Sequence, residues 1–587
     1  MNTKLLSVAK GETPADIVIK NGRIVNVYTK EIYEGGVSIT GDRIAAIGDV
    51  GYTIGESTQI IDASGNYITP GFIDGHIHPE STSLSIQSFA NLVLKHGTTV
   101  IFTDLHEAGV VSGLEAIEAL LDEAQETALK HYFVVPSHVP FSPQFETSGG
   151  SFNTEIIKGA LQREDAVGLS EAVSVYIIAG FPDLLDSIDA AKAAGKSIQG
   201  HLPDATGAHF NVVAAAGVST DHEAISPDEG LLRLRNGLHL MIREGSAARS
   251  LETILAPILE QKLDTSRVSI VTDDLHTVDG VFRGHLDDAV RTALKTGAGF
   301  ADAIQFVSLN AARAFSLENE IGGLAPGKRA DVNITTGPED FKILSVISGG
   351  TLVVSDEKLV APYPVKAHDP KLLNTVHLKR PVTAADFAVK VADSVSKVRV
   401  QIMDTLQWIP LTEGRVVELA VKDGVVQSDL EQDVLYIAQV ERHGKNGNIG
   451  KAFMGGFRIK EGAIASSVGH DNHNIIVLGT NHEDMAVAVN RVATLQGGQV
   501  VVNKGAVVSE VAYPILGLLS DLDAASLAAV KQKLNADIHE LGSEIPIPFM
   551  FLSFISLAAI PSYAVTDKGF IDVLGQKIID PVLETIG

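Results

Sequence analysis

Cysteine is absent from all 587 residues, which removes disulfides, thiolate metal ligands and cysteine nucleophiles together. Any metal must therefore sit on His, Asp or Glu. Positive charge is scarce as well: 46 Lys and Arg stand against 72 Asp and Glu, a net charge of −26. A surface that negative repels phosphate backbones instead of releasing their counterions, so no nucleic acid is expected as a partner. Long apolar runs are also missing. The segment Met1 to Lys20 offers only Leu5, Leu6 and Val8 before polar residues return, too little for a signal-peptide core, and cytoplasmic residence is expected by default. The most apolar stretch, Phe549 to Ile560 between Pro548 and Pro561, falls well short of the roughly 20 residues of a spanning helix. It reads as core, with no membrane partner.

Hydrophobic residues make up 45% and charged residues 20%, the profile of a folded protein, and the length calls for two or three domains. From Ala15 to Ile61 run short β-prone groups, Ile17 to Ile19, Arg23 to Val27, Gly36 to Ile39 and Arg43 to Ile47. The pairs Asn21-Gly22 and Gly41-Asp42 between them are hairpin signals. After Pro70-Gly71, apolar strands alternate with amphipathic helical segments such as Leu84 to Lys95 and Ile117 to Lys130 for roughly 250 residues, the usual length of a (β/α)₈ barrel. Eight strands are expected: Phe72 to Ile77, Thr99 to Thr103, Tyr132 to Pro136, Val167 to Leu169, Ser197 to Gly200, Val218 to Thr220, Leu238 to Ile242 and Val268 to Thr272. They lack clean alternation, as in a parallel sheet covered on both faces.

Polar residues decide between a closed barrel and an open sheet, because barrel enzymes carry their chemistry at the carboxyl ends of many strands. His76 and His78, Asp104, Glu171, His201, Asp221-His222-Glu223, Arg243-Glu244 and Asp273-Asp274 all fall at such ends. The expected architecture is an α/β TIM-like barrel over residues 70–320. A composite β-sandwich is built from 1–69 and 321–375, where Ala330 to Thr335 rejoins the N-terminal strands, and a C-terminal α/β domain covers 376–587. His76 and His78, two apart on a strand, leave on one face and suit a divalent transition metal. With Glu171, His201, His222 and Asp273 they make six N and O ligands from five strands, enough for two metals. Taken singly, each of these residues could equally cap the following helix.

Pro70-Gly71-Phe72-Ile73-Asp74-Gly75-His76-Ile77-His78 and Gly322 to Asp331 resemble the opening and closing signatures of the amidohydrolase superfamily. His78-Pro79-Glu80-Ser81-Thr82, Thr220-Asp221-His222-Glu223-Ala224, Ile242 to Ala248, Thr272-Asp273-Asp274 and Gly469-His470-Asp471-Asn472-His473-Asn474 are similar to the bacterial adenine deaminase family. Two departures stand out, Leu105 where that family usually has Pro and Leu275 where Arg is common.

The resemblance implies hydrolysis of adenine to hypoxanthine and ammonia, with hydroxide supplied by two divalent ions attacking C6. Glu171 stands where many relatives carry a bridging carboxylated lysine. N and O ligands fit Mn, Fe or Zn, and the resemblance points to manganese or iron. Asp273 is assigned general base and then acid, and Asp274 a hydrogen bond to the purine ring. Glu80, His106, Glu107 and Glu223 orient imidazoles or protonate the ring, with Glu107 also a substrate contact. His470 and His473 either close over the barrel mouth, bind another ion or form a surface turn. Rival expectations are an amidohydrolase of cyclic amides or N-acyl amines, which wants an arginine for a carboxylate, and a scaffold that has lost activity, which the complete ligand set disfavours. Cytidine-type deaminases need cysteine and are excluded. Symmetry among soluble enzymes makes a homo-oligomer, with a homodimer as the simplest form, the prior.

Overall fold

The computed structural model describes residues 3–203, 205–246, 248–406, 411–558 and 562–586. Eight parallel strands pair in chain order: Phe72–Asp74, Thr98–Thr103, Lys130–Pro136, Ala166–Val173, Ser197–His201, Thr220–Asp221, His239–Arg243 and Val268–Val271. The ring closes just past the first and last of them. Ile77 bridges Asp273, His78 N donates to the Asp273 carbonyl at 3.1 Å, and Asp273 N donates to the His76 carbonyl at 3.0 Å. Asp74 adds a side-chain stitch, accepting from Thr272 Oγ1 at 2.6 Å and from His76 N at 3.2 Å. Among the eight expected strands each is present, though the first ends before its histidines.

Inside the ring, Ile73, Val100, Phe102, Val134, Met241 and Val271 form a packed core with Ala311, Ala312 and Phe315, as barrels of this kind require. The Phe102 and Phe315 rings stack with centroids 3.8 Å apart, and Asn310 Nδ2 donates to the Val268 carbonyl at 2.7 Å. Helix Leu309–Ala314 therefore plugs the amino ends of the strands and leaves the carboxyl ends for chemistry. The outer helices follow helical periodicity. In Leu286–Lys295 the buried Leu286, Ala289, Val290 and Ala293 recur at intervals of three and four, one stripe facing the strands. The segment expected as a helix from Ile117 to Lys130 is Leu114–Ala124 instead, because Lys130 already starts the third barrel strand.

A nine-stranded sheet takes five strands from before the barrel and four from after it. Strand Tyr67–Pro70 lies beside Ile17–Val25 and also pairs antiparallel with Val332–Thr335, so the segment after the barrel does rejoin the N-terminal strands. The two barrel signatures meet here: Gly71 N donates to the Asp331 carbonyl at 2.9 Å, and a Cβ on Gly71 would stand 2.4 Å from Thr99 Oγ1. Asn21-Gly22 is not a hairpin turn. It lies within Ile17–Val25, where the register with Ile32–Thr40 slips between Ile19 and Gly22. Asn21 at φ 58° absorbs the extra residue as a bulge, and the chain reverses only at residues 26–31. Gly41-Asp42 does turn a hairpin, with Thr40 opposite Arg43.

The C-terminal part holds a ten-stranded sheet whose pairs are antiparallel except that between Lys397–Thr405 and Ile449–Gly455. Helix His482–Thr494 buries Met485, Ala488, Val489 and Val492 in the core shared with this sheet. The apolar stretch from Phe549 begins as helix Pro548–Phe554 with Phe549 and Leu552 buried; its end at 559–561 lies outside the described residues. Among the described residues no helix is long and apolar enough to cross a membrane.

Arg233 and Asp221, both fully buried, pair at 2.8 Å. Arg233 Nη2 also donates to the Leu202 carbonyl and Asp221 Oδ1 accepts from Leu202 N, so the pair fixes the ends of strands five and six. Removing one partner strands the other as a buried charge. Arg233→Met is expected to cost about 3–5 kcal/mol, read as a lowered unfolding midpoint, with the double variant Arg233→Met/Asp221→Leu recovering much of the loss.

Candidate active site

All six ligands expected from the sequence converge at the carboxyl ends of the barrel strands. Glu171 Oε1 is the hub, 3.6 Å from His76 Nε2, 3.6 Å from His78 Nε2, 3.7 Å from His201 Nδ1 and 3.5 Å from His222 Nε2. Asp273 Oδ1 stands 3.4 Å from His76 Nε2 and 3.6 Å from His78 Nε2. The His76 and His222 rings stack at 4.0 Å. Glu171 and Asp273 both take positive φ, 49° and 58°, a conformation that non-glycine residues adopt at a cost and that turns each side chain across the mouth.

Two ring nitrogens here, His76 Nε2 and His201 Nδ1, are buried without a hydrogen-bond partner among the described residues, although carboxylate oxygens lie within 4 Å. Nitrogens and oxygens that converge without aligning any N–H are a donor set for a cation. His76, His78 and Asp273 form one such group and His76, Glu171 and His222 another, each within 4.8 Å. Imidazole and carboxylate without sulfur suit a divalent ion of the Mn, Fe or Zn kind.

Behind these ligands stand residues to which the sequence gave no role. His78 Nδ1 pairs with Asp104 Oδ1 at 3.1 Å, and Ser170 Oγ donates to Asp104 Oδ2 at 2.8 Å, which fixes His78 with Nε2 toward the site. Asp104 was visible as a strand end, but the ring it serves lies 26 positions away. Arg243 does not pair with Glu244, which meets Arg249 instead. Its Nη1 lies 2.8 Å from Glu223 Oε1 and 3.2 Å from Asp273 Oδ2, so one buried guanidinium anchors both carboxylates.

The proposed acids divide by environment. Burial, then the neighbouring Glu107, pushes the Glu80 carboxyl up to about 8. Burial, then Asp273, pushes Asp274 up to about 6, and Ser81 Oγ donates to it. Burial also acts on Glu223, but Arg243, His201 and His222 outweigh it and hold that carboxyl well below the usual range. Glu223 Oε1 is 3.2 Å from His222 Nε2. It faces the same nitrogens of His222 and His201 that Glu171 does, so it stands among the donor atoms and not behind the imidazoles.

The segment His470 to Asn474 closes over the mouth. Glu107 Oε1 lies 3.2 Å from His470 Nδ1, and Oε2 lies 3.2 Å from His473 Nε2; burial opposes ionisation of Glu107, but the two imidazoles hold it well below the ordinary carboxylate range. His106 Nε2 faces Asp471 at 3.9 Å. Asn474 Nδ2 donates to the Thr147 carbonyl at 2.8 Å, and Arg442, buried, donates to the His473 carbonyl. Lys531 of helix Ala524–Glu540 reaches the Thr82 carbonyl and Ser83 Oγ, bracing the turn that carries Glu80 and Ser81. Of the substrate contacts expected from the sequence, Asp274 lies at the mouth, while both oxygens of Glu107 are turned to the covering segment.

Residues 67–353 match the profile of the amidohydrolase family, and residues 410–577 match the adenine deaminase C-terminal domain. An adenine deaminase of Moorella thermoacetica is 38% identical over 581 residues, spanning 98% of this chain and 97% of that one. Adenine deaminase 4 of Rhizobium meliloti is 38% identical over 574 residues, with 97% and 96% covered. An adenine deaminase of Desulforamulus reducens is 37% identical over 580 residues, with 99% and 98% covered. With barrel, covering domain and sequence in agreement over nearly the whole length, the chain belongs to the adenine deaminase family of amidohydrolases.

Proposed function

We propose that the protein is an adenine deaminase, adding water at C6 of adenine and releasing ammonia to leave hypoxanthine. The observation that carries this reading is the convergence of four imidazoles and the Asp273 carboxylate around Glu171, in a chain alike over nearly its full length to adenine deaminases. His76, His78, Glu171, His201, His222 and Asp273 would hold two divalent ions, manganese first, with iron or zinc as alternatives. When bound, such ions lower the pKa of water and supply hydroxide at neutral pH.

The residues of the chain then divide the work. Asp273, kept ionised and anchored through Oδ2 to Arg243, accepts the proton of the attacking water at Oδ1 and returns it to the departing amine. Glu80, whose carboxyl is raised by burial and by Glu107, donates its proton to a ring nitrogen as C6 becomes tetrahedral and regains one from the C6 hydroxyl as the carbonyl forms. Asp274 hydrogen-bonds the base, Glu223 adds a further carboxylate beside the same ring nitrogens of His222 and His201 that face Glu171, and Glu107 shapes the pocket by holding His470 over it. A cyclic amide or N-acyl amine substrate would want a free guanidinium for its carboxylate. Arg243 at the strand ends is committed to Glu223 and Asp273, which favours the base. A soluble homodimer is proposed as the working form.

Ammonia release should be measured from adenine, adenosine, guanine and cytosine with manganese-loaded protein. Adenine turnover that falls by a factor of about 10²–10⁴ in Asp273→Asn is the expected result. No turnover of any base by protein that still binds metal would remove the adenine assignment and make cyclic amides the next substrates. Glu80→Gln, a variant that keeps shape and loses the proton, should lower kcat about 100-fold with KM nearly unchanged. Chelation should abolish activity, and titration with Mn²⁺ should restore it fully at two equivalents per chain.

A further inference from the structure

The third barrel strand, Lys130–Pro136, was the one strand for which the sequence offered no site residue, yet Ser137 and His138 follow it directly. Ser137 Oγ lies 2.9 Å from the Glu171 carbonyl and 2.6 Å from His138 Nδ1. A carbonyl can only accept, so the single hydroxyl hydrogen goes to Glu171 O, and the hydroxyl oxygen must accept from His138 Nδ1–H. That fixes the tautomer. Burial, then His106, pushes the imidazole down to about 3, so the ring is neutral and Nε2 is a bare acceptor.

His138 Nε2 is buried and has no hydrogen-bond partner among the described residues. Its ring packs against Phe141 at 4.8 Å and edge-on to Tyr176 at 5.7 Å. Phe141 in turn stands edge-on to both His106 and His201, at 6.3 and 6.2 Å, and the charges of His106, Glu171, Asp471 and His201 all reach His138, which puts it among the side chains that surround the site. The neighbouring hydroxyl of Tyr176 is already spent on the Phe141 carbonyl. A buried acceptor left unpaired is destabilising, and a site tolerates it where a ligand brings the donor.

Resting on the adenine reading, we propose that His138 Nε2 accepts the N–H of the purine's five-membered ring, and that this contact makes the enzyme select the free base over N-substituted forms such as nucleosides. Ser137 is the positioning residue that holds the acceptor tautomer. A site built to hydrogen-bond a substrate N–H rejects isosteres that lack it far more strongly than an apolar wall would.

The test uses metal-loaded full-length enzyme, adenine, and the isosteres 7-deazaadenine and 9-deazaadenine, each of which carries a C–H in place of one ring nitrogen. Wild-type enzyme should bind one isostere at least tenfold more weakly than the other. His138→Phe should erase that preference and raise KM for adenine at least tenfold, with kcat within about threefold and metal content unchanged; His138→Gln, whose amide oxygen can accept, should restore part of both. Equal affinity of the wild type for the two isosteres, or a preference that persists in His138→Phe, overturns the proposal. Binding that depends on His138 without adenine turnover would overturn the proposed function alone, and absence of any binding of these bases would overturn both.

Discussion

The backbone bridge between Ile77 and Asp273 closes the barrel and places metal ligands in the same act. His76, His78 and Asp273 donate or accept the two closing hydrogen bonds through their main chains, while their side chains turn to Glu171. Register and ligand geometry are thus one constraint. A slip of one residue at the seam would send both imidazoles to the other side of the sheet, so the site cannot be misassembled without opening the ring. Asp74, buried beneath with its oxygens on Thr272 and His76, secures that seam from the side away from the chemistry.

Around the seam, charge is arranged by pairing. Arg243 touches Glu223 and Asp273, Asp104 backs His78, and Glu107 takes both imidazoles of the covering segment. Glu80 has no cation of its own among these contacts, and its carboxyl rises accordingly. Placing Glu171 and Asp273 at positive φ costs on the order of 1–3 kcal/mol each, a strain that the paired strands on either side are able to impose. Environment, not residue type, separates the acid that keeps its proton from the acids that cannot.

Much of this was legible in the sequence because a barrel exposes its chemistry by a local rule. His76, His78, Glu171, His201, His222 and Asp273 stand at or just past the carboxyl ends of apolar strands, where position and chemistry coincide. The same rule, had it been pressed on Ser137 and His138, would have reached the third strand. What stayed hidden depends on who faces whom. Nothing near Asp104 announces His78, and nothing near Glu107 announces imidazoles more than 350 positions away, since docking of the C-terminal sheet leaves no periodicity in either partner. Asn21-Gly22 misled for the converse reason: the local turn signal was real, but the tertiary sheet spent it on a bulge.

The composite sheet has a bearing on how the chain comes into being. Strand Tyr67–Pro70 finds its antiparallel neighbour only at Val332–Thr335, with the entire barrel between them. On a ribosome adding about 5–20 residues per second, that strand waits on the order of 15–50 s with one edge of main-chain donors and acceptors unpaired. An open edge is a template for another chain, so the interval in which the barrel is being made is also the interval in which the nascent protein is most open to wrong partners.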